Sequence, residues 1–307
     1  MHRTCLAIVV TFLITTLSIP AFAAMRPIIF AVPPWPGGVV KAEVASQILE
    51  ALGYPTELKN MDTTEAFQTL ESGDTDVYLS AWLPTQLSLL SPLLKKKAVH
   101  VAGINVANAQ VGLCVPGYVA AEGIKSLADV APNAEKFDST IYVEEGSGMS
   151  LVLQGYIKDD FAGLSKVKAN EQPVDTMLED VRKMFEEKKW VAFGCWKPHW
   201  MNITFDLIYL EGIEGSNTLI ATNEVNTITG LKIKEEYPDA YTFLSRINVS
   251  TDTQGKWTYD LSLKKMPVKD LAQKWIKQNI NVVTQWVGAL KSADGKDARL
   301  VVKEAFK

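Results

Sequence analysis

The sequence predicts an α/β protein built from two lobes with a cleft between them. Strand-like and helix-like segments alternate along the chain, which is typical of parallel sheets flanked by helices. At 307 residues the chain is too long for one small core, so two domains are expected. A helical C-terminal region would pack back on the first unit. Because the chain then crosses twice between the lobes, we expect a hinged clamp.

We expect residues 1–23 to be a secretory signal peptide. Arg3 precedes an apolar run from Cys5 to Ile19, and the segment ends in the small-x-small sequence Ala21-Phe22-Ala23. Basic, apolar and small residues in this order are typical of exported proteins, and the run is shorter than the ~20 residues of a membrane span. An uncleaved anchor is the alternative. No later apolar run reaches spanning length, so we expect a soluble periplasmic protein rather than a permease.

The composition argues against two classes of function. There are 31 lysine and arginine residues against 35 aspartate and glutamate residues, so no excess of basic residues favours nucleic-acid binding. Only three histidines are present, one of them in the predicted signal, and we expect neither a metal centre nor a cofactor. Cys114 and Cys195 could form a disulfide in an oxidising compartment. We interpret them instead as two separate buried side chains.

The first α/β unit places two tryptophans where strands end. Its elements are, in order, a strand at 27–32, a helix ending at Gly53, a strand at 56–58, a helix at 63–70 and a strand at 76–80. Parallel strands joined by helices have their ligand crevice beyond the carboxyl ends of the strands. Trp35 and Trp82 both lie at such ends, each next to a proline-containing turn.

The second unit repeats this arrangement. Its elements are a strand at 111–115, a helical turn at 126–130, a strand at 139–143, a helix to about 157, a helix at 174–187 and a strand at 190–194. The last strand leads to Trp196. From about Glu224 we expect helices, at 250–261, 268–279 and 282–290. The predicted domains are therefore 24–106 and 220–307 for the first lobe and 107–219 for the second.

Trp35, Trp82 and Trp196 are candidates for an aromatic cage. A quaternary ammonium cannot donate hydrogen bonds, but it is attracted to indole faces by about 0.5–2 kcal/mol each. Packing in a core is the alternative for any one of them, and we interpret Trp275 and Trp286 in that way because they share a helical stripe. Three indoles at the same kind of position nevertheless favour a binding site for a methylated cation.

The turn Gly146-Ser147-Gly148-Met149 is a candidate for the other end of the ligand. It joins a strand to the start of a helix, where backbone N–H groups are free and the helix dipole is positive. Such a turn suits a carboxylate, although Gly-Ser-Gly is also a common connector. A methylated cation at one end and a carboxylate at the other together describe a betaine.

Three sequences resemble the substrate-binding proteins of glycine betaine/choline ABC importers. They are LSAWLPT at residues 79–85, EGSGM at 145–149 and GCWKPHWM at 194–201, and their order and spacing agree with that family. The resemblance implies the two-lobed periplasmic-binding-protein fold of type II, in which the chain crosses twice between lobes. It also implies a membrane permease as partner, a quaternary-ammonium ligand, and no enzymatic activity.

The resemblance assigns roles to single residues. Trp82 and Trp196 match tryptophans that enclose the trimethylammonium group, and Trp35 matches the third wall. Gly148 and Met149 match the residues whose amides receive a carboxylate. We add Ser147, from the same turn, to the anion end, and His199 as a further candidate ligand contact.

Two departures from the family pattern leave the ligand open. No acidic residue follows Trp35, and Leu87 stands where some glycine betaine binders have a carboxylate-contacting histidine. Choline and trimethylamine N-oxide therefore remain alternatives to glycine betaine, and an amino acid is a further one. A secreted hydrolase using His199 is the enzymatic alternative, but no nucleophile motif accompanies that residue.

Overall fold

A computed structural model describes residues 25–307, and the predicted signal peptide lies outside the described residues. Nine strands within this range form one continuous sheet in the order β2-β1-β3-β9-β4-β7-β5-β6, with β8 paired to β4. The strands are β1 (Ile28–Val32), β2 (Thr56–Asn60), β3 (Val77–Leu83), β4 (Val99–Pro116), β5 (Thr140–Glu144), β6 (Lys168–Gln172), β7 (Ala192–Lys197), β8 (Leu207–Tyr209) and β9 (Ala221–Gly230).

The helices flank this sheet, and most of the helices that the sequence predicts are present. They are α1 (Pro36–Ala51), α2 (Thr63–Ser72), α3 (Leu87–Lys95), α4 (Gly117–Ala121), α5 (Gly148–Lys158), α6 (Val174–Glu186), α7 (Met201–Thr204), α8 (Lys232–Glu236), α9 (Pro238–Arg246), α10 (Thr251–Ser262), α11 (Val268–Gln278), α12 (Ile280–Val287) and α13 (Ala298–Ala305). No helix within residues 25–307 combines the length and the apolar character that crossing a membrane requires.

The first half of the sheet is built on β1, which pairs in parallel with β2 and β3. Helix α1 follows β1 after a short turn, and two glycines let it approach its neighbours. A β-carbon at Gly37 would lie 2.8 Å from Gln254 Nε2, and one at Gly38 would lie 2.9 Å from Ser80 Oγ. Side chains at these positions would therefore push the start of α1 away from the sheet.

The C-terminal helices pack on α1, as expected. Trp275 stacks on Trp286 with ring centroids 5.6 Å apart, and it meets the edge of the buried Trp257 at 5.0 Å. Trp257 and Trp286 belong to the hydrophobic core, and Trp275 packs against it. The interpretation of Trp275 and Trp286 as packing residues agrees with these contacts.

The second half of the sheet is built on β5, which pairs in parallel with β6 and β7. Here Cys114 of β4 and Cys195 of β7 form a disulfide, with their Cα atoms 5.8 Å apart. The expectation of two separate cysteines was therefore wrong. Because β4 and β7 are neighbouring antiparallel strands, the fold brings together two residues that 81 positions separate along the chain.

Two long strands connect the halves of the sheet. β4 and β9 pair antiparallel from Val99 opposite Gly230 to Val111 opposite Ala221, and the pairing shifts register three times, the last time between Val106 and Ala109. Within this shift Asn108 has a φ of 57°. Such bulges bend a strand and increase its twist. The chain thus crosses twice between the halves, through β4 and back through β9.

The expectation that the chain turns helical from about Glu224 was wrong for residues 224–230, which lie in β9. This strand is central in the sheet, between β3 and β4. Its alternating polar residues at the start give a weak strand signal, and pairing on both sides decides the conformation. The first part of β4, residues 99–110, is not assigned by the sequence pattern, and there too pairing with a neighbouring strand decides the conformation.

Candidate functional site

A cavity between the two halves of the sheet brings together the three candidate tryptophans. Trp35, Trp82 and Trp196 line it, and their exposed fractions are only 9%, 6% and 9%. The space among the lining residues is about 420 Å³ when the part open to solvent is included. Two indoles come from one half of the sheet and the third from the other.

Local backbone structure fixes each indole. Trp35 is extended and serves as the N-cap residue of α1, directly after β1. Trp82 lies near the end of β3, and its backbone N–H donates to Gln86 Oε1 at 3.3 Å. Trp196 lies near the end of β7. Cis peptide bonds precede Pro84 and Pro198 after the second and third of these tryptophans.

The turn from Glu144 to Met149 supplies a polar side of the cavity. Ser147, Gly148 and Met149 all line it. Ser147 is the N-cap of α5: its Oγ accepts from the Ser150 N–H at 3.1 Å and donates to the Glu144 carbonyl at 2.9 Å. The N–H groups of Gly148 and Met149 donate no hydrogen bond to any residue within 25–307, as is usual in the first turn of a helix.

Sequence reasoning missed four residues of this cavity. They are Thr85, Gln86, Val111 and Glu144. Glu144 is 6% exposed, and its Oε1 has no hydrogen-bond partner within the described part of the chain. Burial raises the pKa of this carboxyl well above its ordinary value; hydrogen bonding with the Trp35 side chain opposes the rise, and the charges of Glu145 and Asp175 add to it. The sequence feature that could have identified Glu144 is its position at the end of a predicted strand.

The structure does not bring His199 into the cavity. It is absent from the lining, and its ring lies 4.9 Å from the Trp196 ring and 5.3 Å from the Trp200 ring between centroids. Nδ1 accepts from the Met201 N–H at 3.3 Å. Burial lowers the pKa of His199 to about 3, so the imidazole is neutral at physiological pH. His199 supports Trp196 by packing against it.

Contacts between the halves of the sheet close the cavity. The Thr63 N–H donates to the carbonyl of Gly146 at 3.4 Å, and Gln86 packs against Gly148. Gly146 has a φ of +64°, and a β-carbon there would lie 2.9 Å from Asp62 Cβ. Glycine is therefore required by both the backbone conformation and the space. Leu87, in contrast, is 45% exposed and lies outside the lining.

The chemistry of the lining suits binding rather than coordination of a metal. Indole faces offer attraction to a cation without hydrogen bonds, and the start of α5 offers N–H donors to an anion. Within residues 25–307, no group of histidine, cysteine, aspartate and glutamate side chains could hold a metal ion.

Solved structures of binding proteins share this fold. An ABC-transporter choline binding protein in complex with choline has a TM-score of 0.88 and 25% identity, over 92% of this chain and 98% of that one. Lactococcal OpuAC in its closed form with glycine betaine has a TM-score of 0.75 and 26% identity, over 85% and 99% of the two chains. The protein thus has the two-lobed periplasmic-binding-protein fold.

Sequence comparisons agree with the structural ones. A glycine betaine/carnitine transport binding protein of Listeria monocytogenes is 25% identical over 158 residues, which are 52% of this chain and 52% of that relative. The family model of the substrate binding domain of ABC-type glycine betaine transport systems matches residues 26–278. The chain therefore belongs to the family of substrate-binding domains of ABC-type glycine betaine transport systems.

Proposed function

We propose that the protein captures a quaternary-ammonium solute, such as glycine betaine or choline, and delivers it to the permease of an ABC importer. The observation that carries this proposal is the meeting of three indoles, from both halves of the sheet, around one cavity. We assign Trp35, Trp82 and Trp196 to the methylated ammonium group. Ser147, Gly148 and Met149 would face the other end of the ligand.

The expected energies require both ends of the ligand to be held. Three cation–π contacts contribute about 1.5–6 kcal/mol together, whereas micromolar binding corresponds to about 8 kcal/mol. Hydrogen bonds at the start of α5 and the burial of methyl groups would supply the difference. Closure excludes water from the cavity and strengthens each of these contacts, so binding favours the closed form.

We propose that the two lobes are residues 24–106 with 220–307, and residues 107–219. Both boundaries then fall at or next to the paired strands β4 and β9. The register shift between Val106 and Ala109 is a suitable place for the hinge. The first lobe contributes Trp35 and Trp82, and the second contributes Trp196, so closing the hinge assembles the cage.

We also propose that the protein is exported to the periplasm and performs no chemistry itself. Residues 1–23 have the features of a signal peptide, and the disulfide between Cys114 and Cys195 is of the kind that persists in oxidising compartments. ATP hydrolysis by separate subunits would drive the transport step. The permease would recognise the closed, liganded form.

A ligand panel tests the assignment. Glycine betaine, choline, carnitine, trimethylamine N-oxide and several amino acids would be compared by thermal shift and then by titration calorimetry, because a true ligand raises the melting temperature. We expect stabilisation by one or more of the methylated compounds and none by amino acids with a primary ammonium. Binding of amino acids alone would contradict the proposal.

A further inference from the structure

Glu144 is the acidic side chain of the cavity, and its position is unusual for a carboxyl group. It ends β5, lines the cavity beside the cage, and is 6% exposed. Its Oε1 has no hydrogen-bond partner within residues 25–307. Leaving a buried polar atom unpaired is costly. The unpaired oxygen therefore indicates a missing partner, which the ligand can supply.

The charged groups around Glu144 do not neutralise the negative charge that it would carry when ionised. Glu145, in the same turn, and Asp175, on α6, carry charge of the same sign and raise its pKa. Tyr78, on β3, is buried and interacts electrostatically with Glu144. The Trp35 side chain opposes the rise in pKa but brings no positive charge. Among these neighbours there is no cation, so an ionised Glu144 would require one from the ligand.

We propose that Glu144 matches the charge of the closed cavity to the charge of the ligand: it is ionised when a cation such as choline is bound and protonated when a zwitterion such as glycine betaine is bound. This inference rests on the proposed function. It assigns a specificity-determining role to a residue outside the tryptophan cage and outside the turn of Ser147 to Met149.

Each state leaves the closed cavity without net charge. With a cation, the carboxylate of Glu144 neutralises the ammonium group in a space from which water is excluded. With a zwitterion, the carboxylate of the ligand accepts from the N–H groups of Gly148 and Met149, and the protonated Glu144 can donate its O–H. An ionised Glu144 would instead repel that carboxylate.

The two ligands then respond to pH in opposite directions. Below the pKa of Glu144 in the empty protein, binding of a cation releases a proton, so its affinity rises with pH. Above that pKa, binding of a zwitterion takes up a proton, so its affinity falls as pH rises. The ratio of choline affinity to glycine betaine affinity therefore rises with pH on both sides of that pKa.

The experiment is a calorimetric titration of the wild-type protein with choline and with glycine betaine from about pH 5.5 to about pH 8.5, a range in which neither ligand changes charge. We expect the affinity ratio to rise by up to about tenfold per pH unit. In Glu144→Gln, which cannot ionise, we expect a ratio independent of pH, a choline affinity at least about tenfold weaker at the highest pH, and retained glycine betaine binding. Glu145→Gln, next to it but exposed, should keep the wild-type dependence of the ratio on pH, because Glu144 still ionises.

The outcomes separate this inference from the function on which it rests. A wild-type ratio that does not change with pH, while both ligands bind, overturns the role of Glu144 and leaves the proposed function intact. Binding of neither ligand overturns both. If Glu144→Gln fails to fold, the pH series on the wild-type protein alone decides the question.

Discussion

The side chain of Gln86 packs so closely on Gly148 that a β-carbon at Gly148 would lie 2.7 Å from Gln86 Cγ. Gln86 also accepts a hydrogen bond from the backbone N–H of Trp82 through its Oε1. Gly148 is the first residue of α5 and lines the same cavity as Trp82. One side chain therefore contacts both the backbone of Trp82 in the first half of the sheet and the start of α5 beside the second half.

This contact predicts that Gly148→Ala weakens ligand binding. The added methyl group would collide with Gln86 only when the lobes are closed, and such overpacking costs about 1–3 kcal/mol. We expect the dissociation constant to rise by about fivefold or more in titration calorimetry, with little change in the melting temperature of the empty protein. Gly155→Ala is the matched control, because it lies on the same helix and no heavy atom is within 4 Å of its added β-carbon. Equal affinities of the two variants would contradict the prediction.

The cage predicts that Trp82→Ala and Trp196→Ala each lower the affinity strongly. Each substitution removes a cation–π contact and opens the cavity to water, and we expect a loss of at least about 2 kcal/mol, or about thirtyfold. Calorimetry with the ligand found in the panel measures the loss, and circular dichroism checks that the variants are folded. Trp190→Phe is the control, because Trp190 packs against Phe137 outside the cavity. Undiminished affinity in either cage variant would contradict the assignment.

The disulfide predicts a large loss of stability in the double variant Cys114→Ala/Cys195→Ala. The bond joins residues 81 positions apart, so it restricts the unfolded chain considerably. Removing it should lower the free energy of unfolding by about 2–5 kcal/mol, measured by urea denaturation. Reduced wild-type protein should show a similar loss, whereas a reducing agent should not affect the variant. A variant as stable as the oxidised wild type would argue against the bond.

The burial of Lys41 predicts that the free energy of unfolding depends on pH. Its buried amine donates to Asn105 and to the carbonyl of Leu79, and burial lowers the pKa of Lys41 to about 7. In the unfolded chain the amine stays protonated to about pH 10, so the unfolded state binds more protons above pH 7 and stability rises with pH. We expect the wild type to gain about 1–2 kcal/mol relative to Lys41→Met between about pH 7 and about pH 9.

Urea denaturation at both pH values measures this difference. Lys158→Met, at an exposed position at the end of α5, controls for the loss of one lysine from the surface. A difference between the wild type and Lys41→Met that stays constant, or that shrinks as the pH rises, would contradict the prediction.

The meeting of three tryptophans at one cavity could be predicted from the sequence because it depends on local order. Trp35, Trp82 and Trp196 each stand close to where a strand ends, and parallel strands direct such residues toward a common edge. The start of α5 was predictable for the same reason. Each of these signals needs only a few neighbouring residues, and no knowledge of distant partners.

The remaining features depend on partners far away in the chain. β9 is a strand because β3 and β4 pair with it on both sides, not because of its own residues. Cys114 and Cys195 are bonded because β4 and β7 lie side by side. Glu144 is buried by elements of both lobes, so its sequence neighbours alone could not indicate its environment.

The strand that links the lobes is also part of the wall around the solute. Val111 of β4 lines the cavity, and in the sheet it stands opposite Trp196 of β7 and opposite Ala221 of β9. A molecule seated against Val111 would therefore touch the same strand that carries the proposed hinge. Ligand binding and the proposed bending would then involve the same stretch of the β4 backbone. Coupling between them would need no intermediate side chains.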